Sequence, residues 1–104
     1  MGNYNIQITE PAEKDLHEIA VYIAKELLEP ETAKKIVSKI AKAIINLEDM
    51  PFRNAIITDA RLTHIGIGKT FVDNYIVFYI VTEESKTVTI IRILYTRRNW
   101  INLL

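Results

Sequence analysis

The last twenty residues, 85–104, carry four cations and no acid: Lys86, Arg92, Arg97 and Arg98. Arg92 interrupts an otherwise uncharged run, Val88-Thr89-Ile90-Ile91-Arg92-Ile93-Leu94-Tyr95. An arginine inside a core-forming strand is costly unless its guanidinium reaches water or an anion. A basic, aromatic exit follows at once, Thr96-Arg97-Arg98-Asn99-Trp100. The guanidinium fork binds two oxygens of one anion, and arginine and tryptophan are the side chains that anchor interfaces. The chemistry on offer is recognition of an anion or a partner surface. Arg92 also has an internal outlet, an ion pair with Glu48 or Asp49 across the fold, and Tyr95 and Trp100 could equally be core.

Charge is unevenly distributed. The chain is neutral overall, yet residues 1–50 carry 6 basic and 9 acidic side chains, and residues 51–84 carry 3 and 4. A basic C-terminal part suggests an anionic partner there. Overall neutrality argues against strong nonspecific RNA affinity, which needs a cationic surface. With no cysteine, a disulfide framework and a cysteine-based metal site are excluded, which fits a reducing cytosol. The first fifteen residues lack the apolar core of a signal peptide. No stretch approaches the roughly 18 apolar residues of a membrane helix. At 104 residues one domain is expected.

Several elements must position the C-terminal cluster. Tyr4, Ile6 and Ile8 alternate with polar residues, as in a half-buried strand. Thr9-Glu10-Pro11 reads as a helix start, with a capping oxygen and a proline in the first turn. Ala12, Leu16, Ile19, Ala20, Ile23 and Leu27 recur at helical spacing, so a helix is expected from 11 to about 28. Its outer face carries His17, read as solvent-exposed. Pro30 opens a second helix with a stripe of Ala33, Ile36, Val37, Ile40, Ala43, Ile44 and Leu47, ended by Met50-Pro51. Lys34, Lys35, Lys39 and Lys42 form its solvated face. The short connection makes the helices an antiparallel hairpin. Residues 51–63 lack periodicity and read as a crossing loop.

Residues 64–72 read as a strand whose Gly66 and Gly68 suggest a bulge or a close backbone approach. Asp73-Asn74 is a tight turn. Tyr75 to Val81 is apolar at every position, as in a central strand buried on both faces. Residues 83–86 turn into the last strand, which reaches Tyr95. A short tail or helix with Trp100, Leu103 and Leu104 packs back. The expected fold is α+β: an N-terminal strand, then a two-helix hairpin packed on one face of a mainly antiparallel four-stranded sheet. The other face would stay free and apolar, favouring self-association, for example as a homodimer. Strict alternation puts Arg92 on one face with Val88, Ile90 and Leu94. Whether Lys69 lies beside it depends on a register the glycines could shift.

Four ordered segments give the chain a resemblance to RelE/ParE-superfamily toxins of type II toxin–antitoxin modules. They are Ile6-Gln7-Ile8-Thr9 with Ala12-Glu13-Lys14-Asp15-Leu16; Leu47-Glu48-Asp49-Met50-Pro51; Asn74-Tyr75-Ile76-Val77-Phe78-Tyr79; and Arg92-Ile93-Leu94-Tyr95-Thr96-Arg97-Arg98-Asn99-Trp100. The resemblance implies a cytoplasmic, growth-inhibiting toxin bound by a cognate antitoxin, a role tied to plasmid stabilization. It implies no cofactor, no metal and no membrane. It leaves two targets: DNA gyrase, poisoned by ParE-like members, or ribosome-bound messenger RNA, cut by RelE-like members; a further alternative is a protein-interaction domain that has lost its toxicity.

Metal-free RNA cleavage needs a base for the 2′-hydroxyl, cations on the phosphorane and an acid for the leaving oxygen. The candidates would be Lys69, Arg92, Arg97 and Arg98 for charge, with Tyr95 for proton transfer or base stacking. Two departures weigh against it. Nuclease members resembling this chain usually carry an arginine where Ile76 stands. Many carry histidine where Tyr95 stands, and tyrosine, with a pKa near ~10, is a poorer base than histidine near ~6.5. The gyrase-directed, ParE-like reading is therefore favoured. In it Arg92, Arg97, Arg98 and Trp100 form a partner-binding surface.

Overall fold

The computed structural model describes residues 4–49, 67–97 and 103. The chain runs through strand β1 (Asn5–Ile8), helix α1 (Glu10–Val21), a π-turn (Tyr22–Glu26), helix α2 (Pro30–Asn46), and strands β2 (Ile67–Val72), β3 (Tyr75–Thr82) and β4 (Thr87–Tyr95). The sheet order is β1-β4-β3-β2. β1 lies parallel to β4, and the other two pairings are antiparallel. This is the α+β arrangement expected from the sequence. The crossing loop at 51–63 and most of the tail lie outside the described residues.

Thr9 caps α1 as its sequence suggests: its Oγ1 accepts from the Ala12 amide at 3.3 Å, with Pro11 in the first turn. The first helix is not α-helical to residue 28. Beyond Val21 it widens into the π-turn, where the Leu27 amide donates to the Tyr22 carbonyl five residues back. The apolar positions 19, 23 and 27 are each four apart. An α-helix of 3.6 residues per turn would rotate them progressively off one face, and a wider turn limits that drift. Leu28 then takes a left-handed backbone conformation, φ 55°, and α2 begins two residues later.

Both helices pack on one sheet face. Ala12, Ile40, Ile44 and Leu47 meet Val72, Val77, Tyr79, Val88, Ile90 and Ile93 in one buried cluster. β3 is central and buried on both faces. Gly68 marks a close approach rather than a bulge: a Cβ there would stand 2.6 Å from the Tyr79 ring.

Two expectations are corrected. The second sheet face is not bare. Ile67, Ile76, Phe78 and Leu94 form a buried cluster there, with Leu103 packed against it. The chain's end returns to cover the face, as the Arg92 guanidinium Nη1 donates to the Leu103 carbonyl at 3.0 Å. Strict alternation also fails in β4. Tyr79 pairs with Ile90 but Phe78 pairs with Arg92, so Ile91 is an extra residue. A bulge of this kind reverses the facing of everything beyond it. Arg92 and Leu94 thus lie opposite the face of Val88 and Ile90. The shift arises in β4 and not at Gly68, whose pairing with β3 is continuous; Gly66 lies outside the described residues.

Candidate partner-binding site

β1 stops at Ile8, level with Ile90 of β4. Past that point the β4 edge would present unpaired backbone groups, which are costly when buried. Two side chains of the β1–α1 junction take over. The Thr9 amide and Oγ1 both donate to the Ile90 carbonyl, and Oγ1 also lies 3.2 Å from the Ile91 carbonyl. One turn into α1, Asp15 Oδ2 accepts from the Ile93 amide at 3.0 Å.

The same carboxylate grips Arg92 with both oxygens. Nε donates to Oδ2 at 2.7 Å and Nη2 to Oδ1 at 2.8 Å. Asp15 is 6% exposed, the one charged residue buried among those described. The hydrogen bonds from Arg92 to Asp15, aided by charge attraction to Asp15 and Glu18, raise the guanidinium's pKa further against the opposing effect of burial. The internal partner of Arg92 is therefore Asp15, not Glu48 or Asp49. Asp15 was detectable in the sequence as a lone acid within the apolar stripe of α1, matched by a lone arginine within the apolar run of β4.

The remaining candidates divide between two faces. Lys69, Phe78 and Arg92 stand in one row across β2, β3 and β4, so Lys69 and Arg92 do share a face. Lys69 Nζ sits 5.7 Å from the centroid of the exposed Phe71 ring. Ile76, on that face, is 3% exposed within the second cluster. Tyr95 is on the helix side, paired with Tyr75, their ring centroids 5.7 Å apart and tilted by 56°. Arg97 is exposed just beyond β4. Arg98 and Trp100 lie outside the described residues. Lys69 and Arg92 thus share a face with Phe78 between them, and Tyr95 lies on the other face.

Tyr95 belongs instead to a cleft of about 520 Å³ between the end of the first helix and the start of β3, lined by Ile19, Tyr22, Leu27 and Tyr75 and also by Asp15 and Glu18. Tyr22 projects from the π-turn and is 54% exposed. Burial first, then the neighbouring Tyr95 and Tyr22 phenols, holds the Tyr75 hydroxyl above the ordinary tyrosine range. It stays protonated at neutral pH. Sequence reasoning missed this cleft because its walls come from α1 (Ile19), the π-turn (Tyr22) and β3 (Tyr75), the last distant in the chain from the other two.

A helical hairpin on a β1-β4-β3-β2 sheet, with the last strand tied to the first helix, makes a small α+β protein, and a family-model match over most of the chain puts it in the RelE/ParE superfamily. The chain belongs within it to the family described as ParE toxin of type II toxin-antitoxin system, parDE, whose model matches residues 6–100. Three solved structures share the fold. A chain of the chromosomal ParDE system from P. aeruginosa superposes with a TM-score of 0.74 at 20% identity, covering 91% of this chain and 98% of that one. A chain of the RelBE2 complex from Mycobacterium tuberculosis gives 0.67 at 19%, covering 89% and 98%. A mutant of E. coli toxin RelE in the free state gives 0.65 at 15%, covering 99% and 93%. No curated protein matches the sequence.

Proposed function

We propose that this toxin arrests growth in the cytoplasm by binding DNA gyrase, and that a cognate antitoxin neutralises it. The observation that carries this reading is the division of the candidate catalytic set. A phosphorane would need cations and a proton-transfer group around one atom. Here Lys69 and Arg92 face one way and Tyr95 the other. The Arg92 fork is already filled by Asp15 and the Leu103 carbonyl, and a buried Ile76 occupies the position of the usual nuclease arginine. In this reading Arg92 positions the end of β4, while Arg97, Arg98 and Trp100 contact the target. Membership of the parDE family supports the choice of gyrase.

The test is induction in bacterial cells, following plasmid supercoiling beside messenger RNA integrity. Altered supercoiling with intact transcripts is expected, together with loss of toxicity in Arg97→Ala and rescue by co-expression of a cognate antitoxin, whose small reading frame should adjoin this one. Rapid transcript cleavage with normal supercoiling would overturn the gyrase assignment.

A further inference from the structure

We propose that the cleft between Tyr22, Tyr75 and Tyr95 receives an arginine or lysine side chain that a partner segment presents beside an aliphatic residue. Three phenol rings border one space of about 520 Å³. Tyrosine faces attract a cation set against them, and Tyr75 and Tyr95 are tilted by 56° rather than stacked face to face. The charge of the lining is complementary. Asp15 and Glu18 both line the cleft; Asp15 is ion-paired with Arg92, and Glu18 attracts the same guanidinium without an ion pair among the described residues, so two carboxylates share one cation and the cleft is left net negative.

The aliphatic half of the requirement comes from the neighbouring wall. Leu27 and Ile19 line the cleft. Leu27 is 47% exposed there, and the next residue in the chain, Leu28, is 81% exposed. Leu28 is held in the left-handed region, where a leucine is strained and glycine or asparagine would be relaxed. An exposed apolar side chain kept in a strained conformation points to contact with something outside the chain. The cleft also exceeds a single side chain in volume, which suits a cationic residue with an apolar neighbour.

Only the partner's identity rests on the toxin reading, in which it is the antitoxin; the chemistry of the cleft does not. The test is a nuclear magnetic resonance titration of the full chain with N-acetyl-leucyl-arginine amide. The control replaces arginine by citrulline, which keeps the shape and removes the charge. The arginine peptide is expected to shift the Tyr22, Tyr75 and Tyr95 ring resonances saturably at millimolar concentration, with the citrulline peptide at least about five-fold weaker. Glu18→Gln, an exposed and conservative change, should bring the arginine peptide close to the citrulline level while leaving the amide spectrum otherwise intact. Equal affinity for both peptides, shifts confined to other residues, or no binding would each overturn the proposal. None of these results bears on supercoiling in induced cells, so the two readings fail separately.

Discussion

Asp15 accepts three hydrogen bonds with one carboxylate, two from Arg92 and one from the Ile93 amide. Removing one partner of a buried pair strands the other, and Asp15→Ala should destabilise the protein by roughly 3 kcal/mol, read from urea denaturation. The change also leaves the Ile93 amide without its acceptor. A double variant, Asp15→Leu with Arg92→Met, should recover part of that loss, because two apolar groups need no partner. If the double variant is as unstable as the sum of its single changes, the pair is not coupled in this way. Arg92→Ala is accordingly a poor probe of toxicity, since lost function would follow from lost folding. Arg97→Ala is the cleaner probe, as Arg97 is exposed. Tyr75 adds a pH dependence. Its hydroxyl is raised above 10.0 by burial, so the unfolded chain ionises first on the alkaline side. The stability it contributes is complete below pH about 10 and is lost as pH rises through its folded value. Tyr75→Phe should flatten that decline in alkaline denaturation curves. The sequence made Arg92 conspicuous because one charge stood in an apolar strand. Asp15 was overlooked because α1 is rich in charge and nothing separates an inward carboxylate from its exposed neighbours Glu13, Lys14 and Glu18 except helical phase.

At the level of elements, periodicity located every strand and both helices among the described residues. It failed where one residue is added to a regular repeat. The π-turn at Tyr22–Glu26 and the extra Ile91 in β4 both change phase without changing composition, so an alternating or four-spaced pattern reads straight through them. Each moves a candidate residue. The bulge puts Arg92 on the same sheet face as Lys69, and the π-turn places Tyr22 at the tyrosine cleft. The hairpin turn permits a direct test. Leu28 sits at φ 55° and is 81% exposed, so Leu28→Gly relieves backbone strain with little loss of buried surface. A gain of about 0.5–1 kcal/mol in unfolding free energy is expected. Unchanged or reduced stability would mean that Leu28 makes compensating contacts within the chain. Gly68→Ala should act in the opposite sense. The new Cβ would meet the Tyr79 ring at 2.6 Å inside a filled core, and overpacking of this kind costs about 1–3 kcal/mol.

For the whole molecule, the second sheet face decides how the protein behaves alone. The sequence suggested an uncovered apolar face, because two helices with single stripes can cover only one side of a sheet. The tail was expected to pack back, but nothing in so short a stretch says which face it meets, and Leu103 meets the outer one. Leu103 packs on Ile76, Phe78 and Leu94, and its carbonyl is held by Arg92, the residue that also ties β4 to α1. One guanidinium thus joins the edge of the sheet to the cover of its outer face. If that cover matters, weakening it should uncover apolar surface without unfolding the sheet. Leu103→Glu places a charge against the outer cluster while leaving the helix-side core of Ile40, Ile44, Val77 and Ile90 untouched. The variant should keep its far-ultraviolet circular dichroism, bind an apolar dye that the parent chain does not, and sediment with an average mass that rises with concentration. A variant that matches the parent in dye binding and sedimentation would show that Leu103 is dispensable to the cover, and that the face is closed by other means.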